Sequence, residues 1–495
     1  MNVKVEESDI FTYEGECIVL GCFETDRKHL AVLDKKFDGR ISSLFKRKEF
    51  TGELFQLWLL NTLRKIPAEN ILLVGLGKKE EFDAEKLRKA SGHAAKFLRE
   101  AGVKVFATVL HHSEVTGASV RFLAQTVTEG AVLANYKFVE YKTVDRDKIR
   151  FVDSVVLLAS KNKKDVESGV NEAVVVSKAQ CWVRDLVNSP PSILTPENLV
   201  AAAHLLPKSV KVTVFDKKRI KELGMGGILA VNAGSSLDPK FIVAEYKNSS
   251  DAPIALVGKG VTFDSGGLSL KPAQYMEDMK MDMAGAGVVL GVLKAIAELK
   301  LPVHVIGFAP LTENMPSGLS YKPGDIVTTF SKKTIEVLNT DAEGRVILAD
   351  ALAFAETKNP QAIIDLATLT GACIVALGTA AAGLTGNNHS LMDKVARAGD
   401  AVFERCWHLP LFDEYKEMVK SDVADLRNLG RPDKEAGALT AAAFLSAFVE
   451  KTPWAHIDIA GPAWSQEDKF YWSKGGTGFG VRLLVELLKS WKKNL

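Results

Sequence analysis

From Ile254 to Leu366 short apolar runs alternate with longer segments of helical periodicity, and this order restricts the fold more than any other feature of the chain. Strand patterns fall at Ile254 to Val257, Val303 to Ala309, Thr334 to Leu338 and Ala362 to Leu366, with helical patterns at Ala284 to Leu299 and Val346 to Glu356. The strands are rich in Val, Ile and Leu, as expected of a mostly parallel central sheet covered by helices. The first 160 residues show the same order on a smaller scale, with apolar runs at Cys17 to Gly21, Ile71 to Val74, Val103 to Leu110 and Val155 to Leu158 and a helical pattern at Ala84 to Glu100. At 495 residues the chain exceeds the roughly 250–300 residues at which one hydrophobic core stops growing, so two domains are expected. The fold class is therefore α/β, with a smaller N-terminal domain at residues 1–160, a linker helix at 161–190 and a larger C-terminal domain at 191–495. Asn188-Ser189-Pro190-Pro191 stops the linker helix, because proline cannot donate a backbone hydrogen bond and disfavours the helical conformation in the residue before it. Thr195-Pro196-Glu197 then starts another, with Thr195 as N-cap and Pro196 at the first helical position.

Sixty-three Lys and Arg against 61 Asp and Glu leave too weak a field to draw the whole chain to nucleic acid or membrane. Two local basic runs, Phe45-Lys46-Arg47-Lys48 and Lys217-Lys218-Arg219-Ile220-Lys221, read mainly as solvated faces. The five cysteines are odd in number, scattered and without Cys-x-x-Cys spacing, which points away from a disulfide framework and to a reducing compartment. The charged N-terminus lacks the apolar core of a signal peptide, and no apolar stretch approaches the ~18 residues of a membrane span. A cytoplasmic protein without a membrane partner is expected.

Chemistry concentrates in two clusters. Asn339-Thr340-Asp341-Ala342-Glu343-Gly344-Arg345 places two carboxylates and a guanidinium directly ahead of a helical pattern. The other cluster contains Lys259, Asp264 and Lys271 in a glycine-rich stretch and is followed by Asp282. Both follow strand patterns, and in open α/β sheets ligands bind beyond the carboxyl ends of strands, so the clusters can converge. In an extended segment Asp341 and Glu343, two apart, would point the same way; alternatively, Glu343 could simply favour the positive end of the following helix. Four converging carboxylates would raise one another's pKa and partly protonate, a conflict that a pair of divalent ions resolves. Oxygen ligands suit Mn²⁺ and Mg²⁺ and are accepted by Zn²⁺, and two such ions form hydrolytic machinery. Lys259 can ligate a metal only when neutral; it reads equally as a salt-bridging or phosphate-binding lysine. Lys271 and Arg345 remain as cations able to face developing negative charge or to hold an anion.

No P-loop, His-Glu-x-x-His helix or Gly-x-Ser-x-Gly elbow is present. Gly75-Leu76-Gly77-Lys78-Lys79 reads as a strand-to-loop turn, and His456 as a core or supporting group.

At these positions the chain resembles the leucyl aminopeptidase family, dinuclear metallo-exopeptidases also called cytosol aminopeptidases. Asn339 to Arg345 is similar to the family signature; the Lys259 to Lys271 segment, Asp282 and Gly475 to Arg482 follow it in order and spacing. The resemblance is strong over residues 160 to 495. It implies that the C-terminal domain is catalytic and that each subunit holds two divalent ions, Mn or Zn with Mg and Co as further candidates. Asp264 and Glu343 would bridge the ions, Lys259 and Asp282 would complete the tighter position and Asp341 the more exchangeable one. A metal-bridging water would attack the first peptide carbonyl, Lys271 would stabilise the oxyanion, and Arg345 would hold a bicarbonate that shuttles protons. Thr368-Leu369-Thr370-Gly371 would align the substrate backbone, with Leu369 and Gly371 as contacts and Met279 near the side-chain pocket. The implied activity is removal of N-terminal residues, Leu and other apolar ones by preference, from peptide substrates by a homohexamer. Two rivals belong to other classes: a nucleic-acid-binding regulator built on repeated basic patches, and a two-metal phosphoesterase, for which histidine ligands would be more usual.

Overall fold

A computed structural model describes residues 1–432 and 435–491; positions 433–434 and 492–495 of the expected C-terminal domain lie outside the described residues. The chain forms two compact units, one of Met1–Lys178 with Gln466–Ser473, the other of Ala179–Ser465 with Lys474–Leu495. The division falls within one long helix, Lys163–Asn188.

The first unit contains a six-stranded sheet in the order Asn2–Glu6, Ser154–Leu158, Val105–Thr108, Cys17–Phe23, Asn70–Gly77, Leu57–Asn61. All neighbours run parallel except the edge strand Leu57–Asn61. Gly75 to Gly77 completes the Asn70–Gly77 strand, and a positive φ of 72° at Gly77 turns the chain out of it. Helices Ala84–Glu100 and Val120–Ala134 begin on Asp83 and Ser119, whose side chains accept from Lys86 N and Phe122 N. Such caps satisfy N–H groups that a helix start otherwise leaves free. Buried Arg88 joins the two helices, its Nε 2.9 Å from Glu129 Oε2.

The second unit is built on a nine-stranded sheet. Its centre is Trp454–Asp458, Ala362–Ala367, Ile254–Gly258 and His304–Asn314, side by side and parallel. Antiparallel pairings add Ala382–Gly386 on one side and Lys240–Lys247 with Val210–Phe215 on the other. Gly260–Asp264 also pairs in parallel with His304–Asn314. The mostly parallel sheet expected from the apolar runs is thus present, and every residue of Ile254–Gly258, Ala362–Ala367 and Trp454–Asp458 is buried.

Helices Ala284–Glu298 and Glu343–Glu356 cover opposite faces of this sheet. Ile306 and Phe308 belong to one core with Val346, Leu348 and Phe354. A Cβ at the intervening Gly307 would instead meet Val289 and Leu293, as the two-residue side-chain period of a strand requires. At the carboxyl end of Ile254–Gly258 the helix approaches the sheet too closely for any side chain: a Cβ on Gly285 would lie 2.2 Å from Leu366 O. This approach lets Ala286 N donate to Lys259 O at 2.8 Å and Lys259 N to Leu366 O at 3.0 Å.

The expected strand Thr334 to Leu338 is corrected. Only Thr334–Glu336 is a strand, and it lies in a separate three-stranded sheet with Ile326–Thr328 and Leu426–Arg427. Beyond Glu336 the backbone turns away, with Leu338 N and Asn339 N donating to Asn428 Oδ1. The second acidic cluster therefore does not follow a strand of the central sheet. At the end of the Gly475 to Arg482 stretch, Gly480 N donates to buried Glu404 Oε2 at 2.9 Å, as does Leu483 N just beyond it, capping the helix Val481–Ser490. Among the described residues no helix is long and apolar enough to cross a membrane.

Candidate active site

Lys259 leaves the central sheet at the end of Ile254–Gly258, and Asp264 ends the neighbouring strand Gly260–Asp264. Positive φ at Gly266 (89°) and Gly267 (64°) then folds the chain back, so that Lys271 N reaches Ser265 O at 2.9 Å. Asp282 sits on the short helix Met279–Met283 that leads into Ala284–Glu298. Thr340 joins the two acidic segments: its hydroxyl donates to Gly266 O at 2.6 Å and accepts from Ser269 N at 2.8 Å.

Asp341 and Glu343 do not share an extended segment. Asp341 lies in a turn and Glu343 opens the helix Glu343–Glu356, so the same-side argument from strand geometry fails. The two meet because the turn brings them together: oxygen atoms of Asp264, Asp341 and Glu343 all lie within 4.8 Å of one another. Neither carboxylate oxygen of Glu343 accepts a well-formed hydrogen bond, so a capping role does not account for its position.

Two lysines thread this acidic group. Lys259 Nζ is 2.8 Å from both Asp282 Oδ2 and Glu343 Oε1 and donates to Thr368 O at 3.1 Å. Lys271 Nζ is 2.8 Å from Asp264 Oδ2 and also pairs with Asp341 Oδ1. Burial would lower the pKa of each ammonium, yet the surrounding carboxylates outweigh it and hold both above the usual lysine value. Among the acids, burial and then the charge of Asp264 push Asp341 up to about 7. Asp264 is raised by burial and by Glu343, and Asp282 well above its ordinary value by burial. For Glu343 burial acts in the same direction but Lys259 and Lys271 prevail, and its pKa is lowered. Lys259 thus bridges Asp282 and Glu343, and Lys271 bridges Asp264 and Asp341.

All ten candidate residues line one cavity of about 420 Å³. Arg345 is buried, with one nitrogen donating to Asn428 O at 2.9 Å and Nε unpartnered; burial lowers its pKa to about 10. Met279, Leu369, Ile374 and Leu429 add apolar lining to the cavity, and Gly371 opens the helix Gly371–Leu377. His456 is a buried supporting group, its Nδ1 2.6 Å from Asp365 Oδ1, while Trp454 Nε1 donates to Asp365 Oδ2 at 2.7 Å.

Three polar residues that shape the site are absent from the sequence-based set. Asn314 Nδ2 donates to Asp264 Oδ1 at 2.9 Å and to Thr340 O. Asn428 holds the turn before the second acidic cluster through Asn339 O at 2.7 Å. Asp458 accepts from the Leu369 and Thr370 backbone. The only sequence signal for Asn314 and Asp458 is a polar residue at the carboxyl end of an apolar run; Asn428 has none.

Residues 181–485 match the catalytic domain of the cytosol aminopeptidase family and residues 19–145 its N-terminal domain. A probable cytosol aminopeptidase of Geobacter sulfurreducens is 46% identical, with 99% of each chain covered. One from Geotalea uraniireducens is 45% identical over 96% of this chain and 97% of its own. A mutant of tomato leucine aminopeptidase superposes with a TM-score of 0.88 at 34% identity, covering 99% of this chain and 96% of that one. The bottromycin maturation enzyme BotP in complex with Mn gives a TM-score of 0.86 at 32% identity, covering 96% and 99%. Sequence over both units and backbone over nearly the whole length thus lead to one conclusion, that this chain belongs to the cytosol aminopeptidase family.

Proposed function

We propose that this protein is a metal-dependent aminopeptidase that removes N-terminal residues, Leu and other apolar ones by preference, from peptides in the cytoplasm. The observation that carries the reading is the convergence of Asp264, Asp341 and Glu343 within 4.8 Å, joined by Lys259 and Asp282 in one cavity. The donor set fits a pair of divalent ions. It is rich in carboxylate oxygen, and Glu343 Oε2 is buried without a hydrogen-bond donor, an arrangement that is costly unless a cation fills it. Asp264, Asp282, Asp341, Glu343 and neutral Lys259 would hold the ions, and the Mn named with BotP favours manganese, with zinc as the other candidate. When bound, such ions would lower the pKa of a water held there towards about 7 and polarise a carbonyl.

The rest of the chemistry belongs to the chain. Lys271, kept charged by its acidic neighbours, donates to the oxygen that becomes negative as the peptide carbonyl turns tetrahedral. Arg345, buried with a free Nε, would hold a bicarbonate by charge-assisted hydrogen bonds, and that group would supply a proton carrier for the leaving amine. The Thr368 to Gly371 backbone aligns the peptide, and the apolar lining around Met279 and Leu369 receives the N-terminal side chain. The family resemblance extends the proposal to a homohexamer.

The test is Glu343→Gln. The variant should fold, with unchanged far-ultraviolet circular dichroism, and lose at least about a thousandfold in kcat for Leu-p-nitroanilide. Retained turnover would reject the assignment. Chelation should abolish wild-type activity, and Mn²⁺ or Zn²⁺ restore it.

A further inference from the structure

Asp458 ends the strand Trp454–Asp458, in register with Ala367 at the end of the neighbouring strand, and is only 3% exposed. Its Oδ1 accepts from Leu369 N at 3.2 Å, Thr370 N at 3.5 Å and Ala460 N at 3.1 Å. Its Oδ2 accepts from the Thr370 hydroxyl at 2.7 Å. That hydroxyl in turn accepts from Cys373 N at 3.0 Å, capping the helix Gly371–Leu377. One residue earlier, Thr368 is fixed to two of the proposed metal ligands: its carbonyl accepts from Lys259 Nζ at 3.1 Å and its hydroxyl donates to Asp282 Oδ1 at 2.8 Å. The loop is therefore fastened at Thr368 to the ligand set and at Leu369 and Thr370 to Asp458.

A buried carboxylate is expensive and persists where several donors converge on it. The donors around Asp458 come chiefly from the loop whose Leu369 and Gly371 face the cavity. Hydrogen-bonding edges that align a substrate must be held closely, because a displacement of about 1 Å costs on the order of a hundredfold. We propose that Asp458 is a positioning residue for the peptide substrate: by clamping the Leu369-Thr370 peptide it sets how well a peptide main chain binds, without taking part in bond cleavage. The inference rests on the aminopeptidase reading above.

Steady-state kinetics on Leu-p-nitroanilide and calorimetric titration with Mn²⁺ test it in the wild type, Asp458→Ala, Asp458→Asn and Thr370→Val. An inactive, metal-loaded wild type would reject the aminopeptidase reading itself. With an active wild type, Asp458→Ala should raise KM about tenfold or more, with kcat within about threefold and Mn²⁺ affinity unchanged. Asp458→Asn should recover most of KM, since its amide oxygen still accepts the backbone N–H groups and the Thr370 hydroxyl can rotate to accept from the amide nitrogen. An unchanged KM in the alanine variant, a fall in kcat alone, a loss of Mn²⁺ affinity, or no recovery by asparagine would each overturn the proposal. Should Asp458→Ala fail to fold, Thr370→Val decides. It removes the 2.7 Å bond and should raise KM about threefold at constant kcat; an unchanged KM would overturn the proposal.

Discussion

Gly344 lies between Glu343 and Arg345, and its missing side chain makes room for that of Lys259. A Cβ there would stand 2.5 Å from Lys259 Cε and 2.6 Å from Nζ. The obstructed atoms are the end of a flexible chain, so the fold can yield, but only by moving Lys259 off Asp282 and Glu343. Gly344→Ala should therefore keep a thermal midpoint near that of the wild type yet lose most Leu-p-nitroanilide hydrolysis; a fully active variant would show that Lys259 need not stay in place. The same residues set a pH dependence. Asp341 titrates near 7 instead of its ordinary 3.8, so between those values the folded, metal-free protein keeps a proton that the unfolded chain has released. The stability this contributes is complete below the unfolded pKa and is lost as pH rises through about 7. On the proposed reading, divalent ions held by Asp341 and Lys259 would have to displace that proton, along with one from Lys259. Mn²⁺ should accordingly raise the thermal midpoint more at pH 8 than at pH 6. Equal shifts would exclude proton competition at the site.

The helix Ala284–Glu298 shows what an element contributes beyond its own residues. Its first turn lies against the ends of two central strands, and a Cβ on Gly285 would meet Leu366 O at 2.2 Å and Lys259 N at 2.8 Å. These are backbone atoms of the sheet and cannot move aside. Gly285→Ala should then destabilise the fold by about 1–3 kcal/mol, seen as a lower urea midpoint, in contrast to Gly344→Ala; an unchanged midpoint would mean that the helix can shift without cost. The sequence makes the helix legible through its apolar period, and the strand before it through a run that is buried at every position. The convergence of Asp264, Asp341 and Glu343 is legible because carboxylates so dense in apolar, glycine-rich sequence must be offset by positive charge. The path of the second acidic cluster is not legible, since its turn is held by Asn428 from nearly ninety positions downstream. Asp458 escapes notice for the same reason: its partners Leu369 and Thr370 lie 88 to 89 positions away. A lone acid ending an apolar run resembles any strand terminator, and only tertiary contact distinguishes it.

Composition and length lead to two domains, but they do not reveal that the first unit is completed by residues from near the other end of the chain. Gln466–Ser473 belongs to it, and Tyr471 in that segment is wholly buried, its hydroxyl donating to Glu85 Oε1 at 2.8 Å. Gly92 has no room even for a Cβ, which would fall 2.8 Å from Tyr471 Cβ. Lys96 pairs with Asp468 and donates to Trp472 O. Eight residues with no periodicity of their own carry no signal of where they dock, so the break visible in the sequence falls near the start of the long helix Lys163–Asn188 and does not give the full extent of the unit. A fragment ending at Lys178 would lack a buried aromatic side chain and leave Glu85, itself buried, without that donor. Losing a fully buried aromatic costs about 3–5 kcal/mol, a large share of the 5–15 kcal/mol that holds a typical domain together. The fragment 1–178 should therefore unfold at markedly lower urea than the same fragment extended by a short flexible linker and residues 466–473, and a Tyr471→Ala change in the extended form should erase most of the gain. Equal midpoints for the short and extended fragments would show that this unit completes its core without the returning segment.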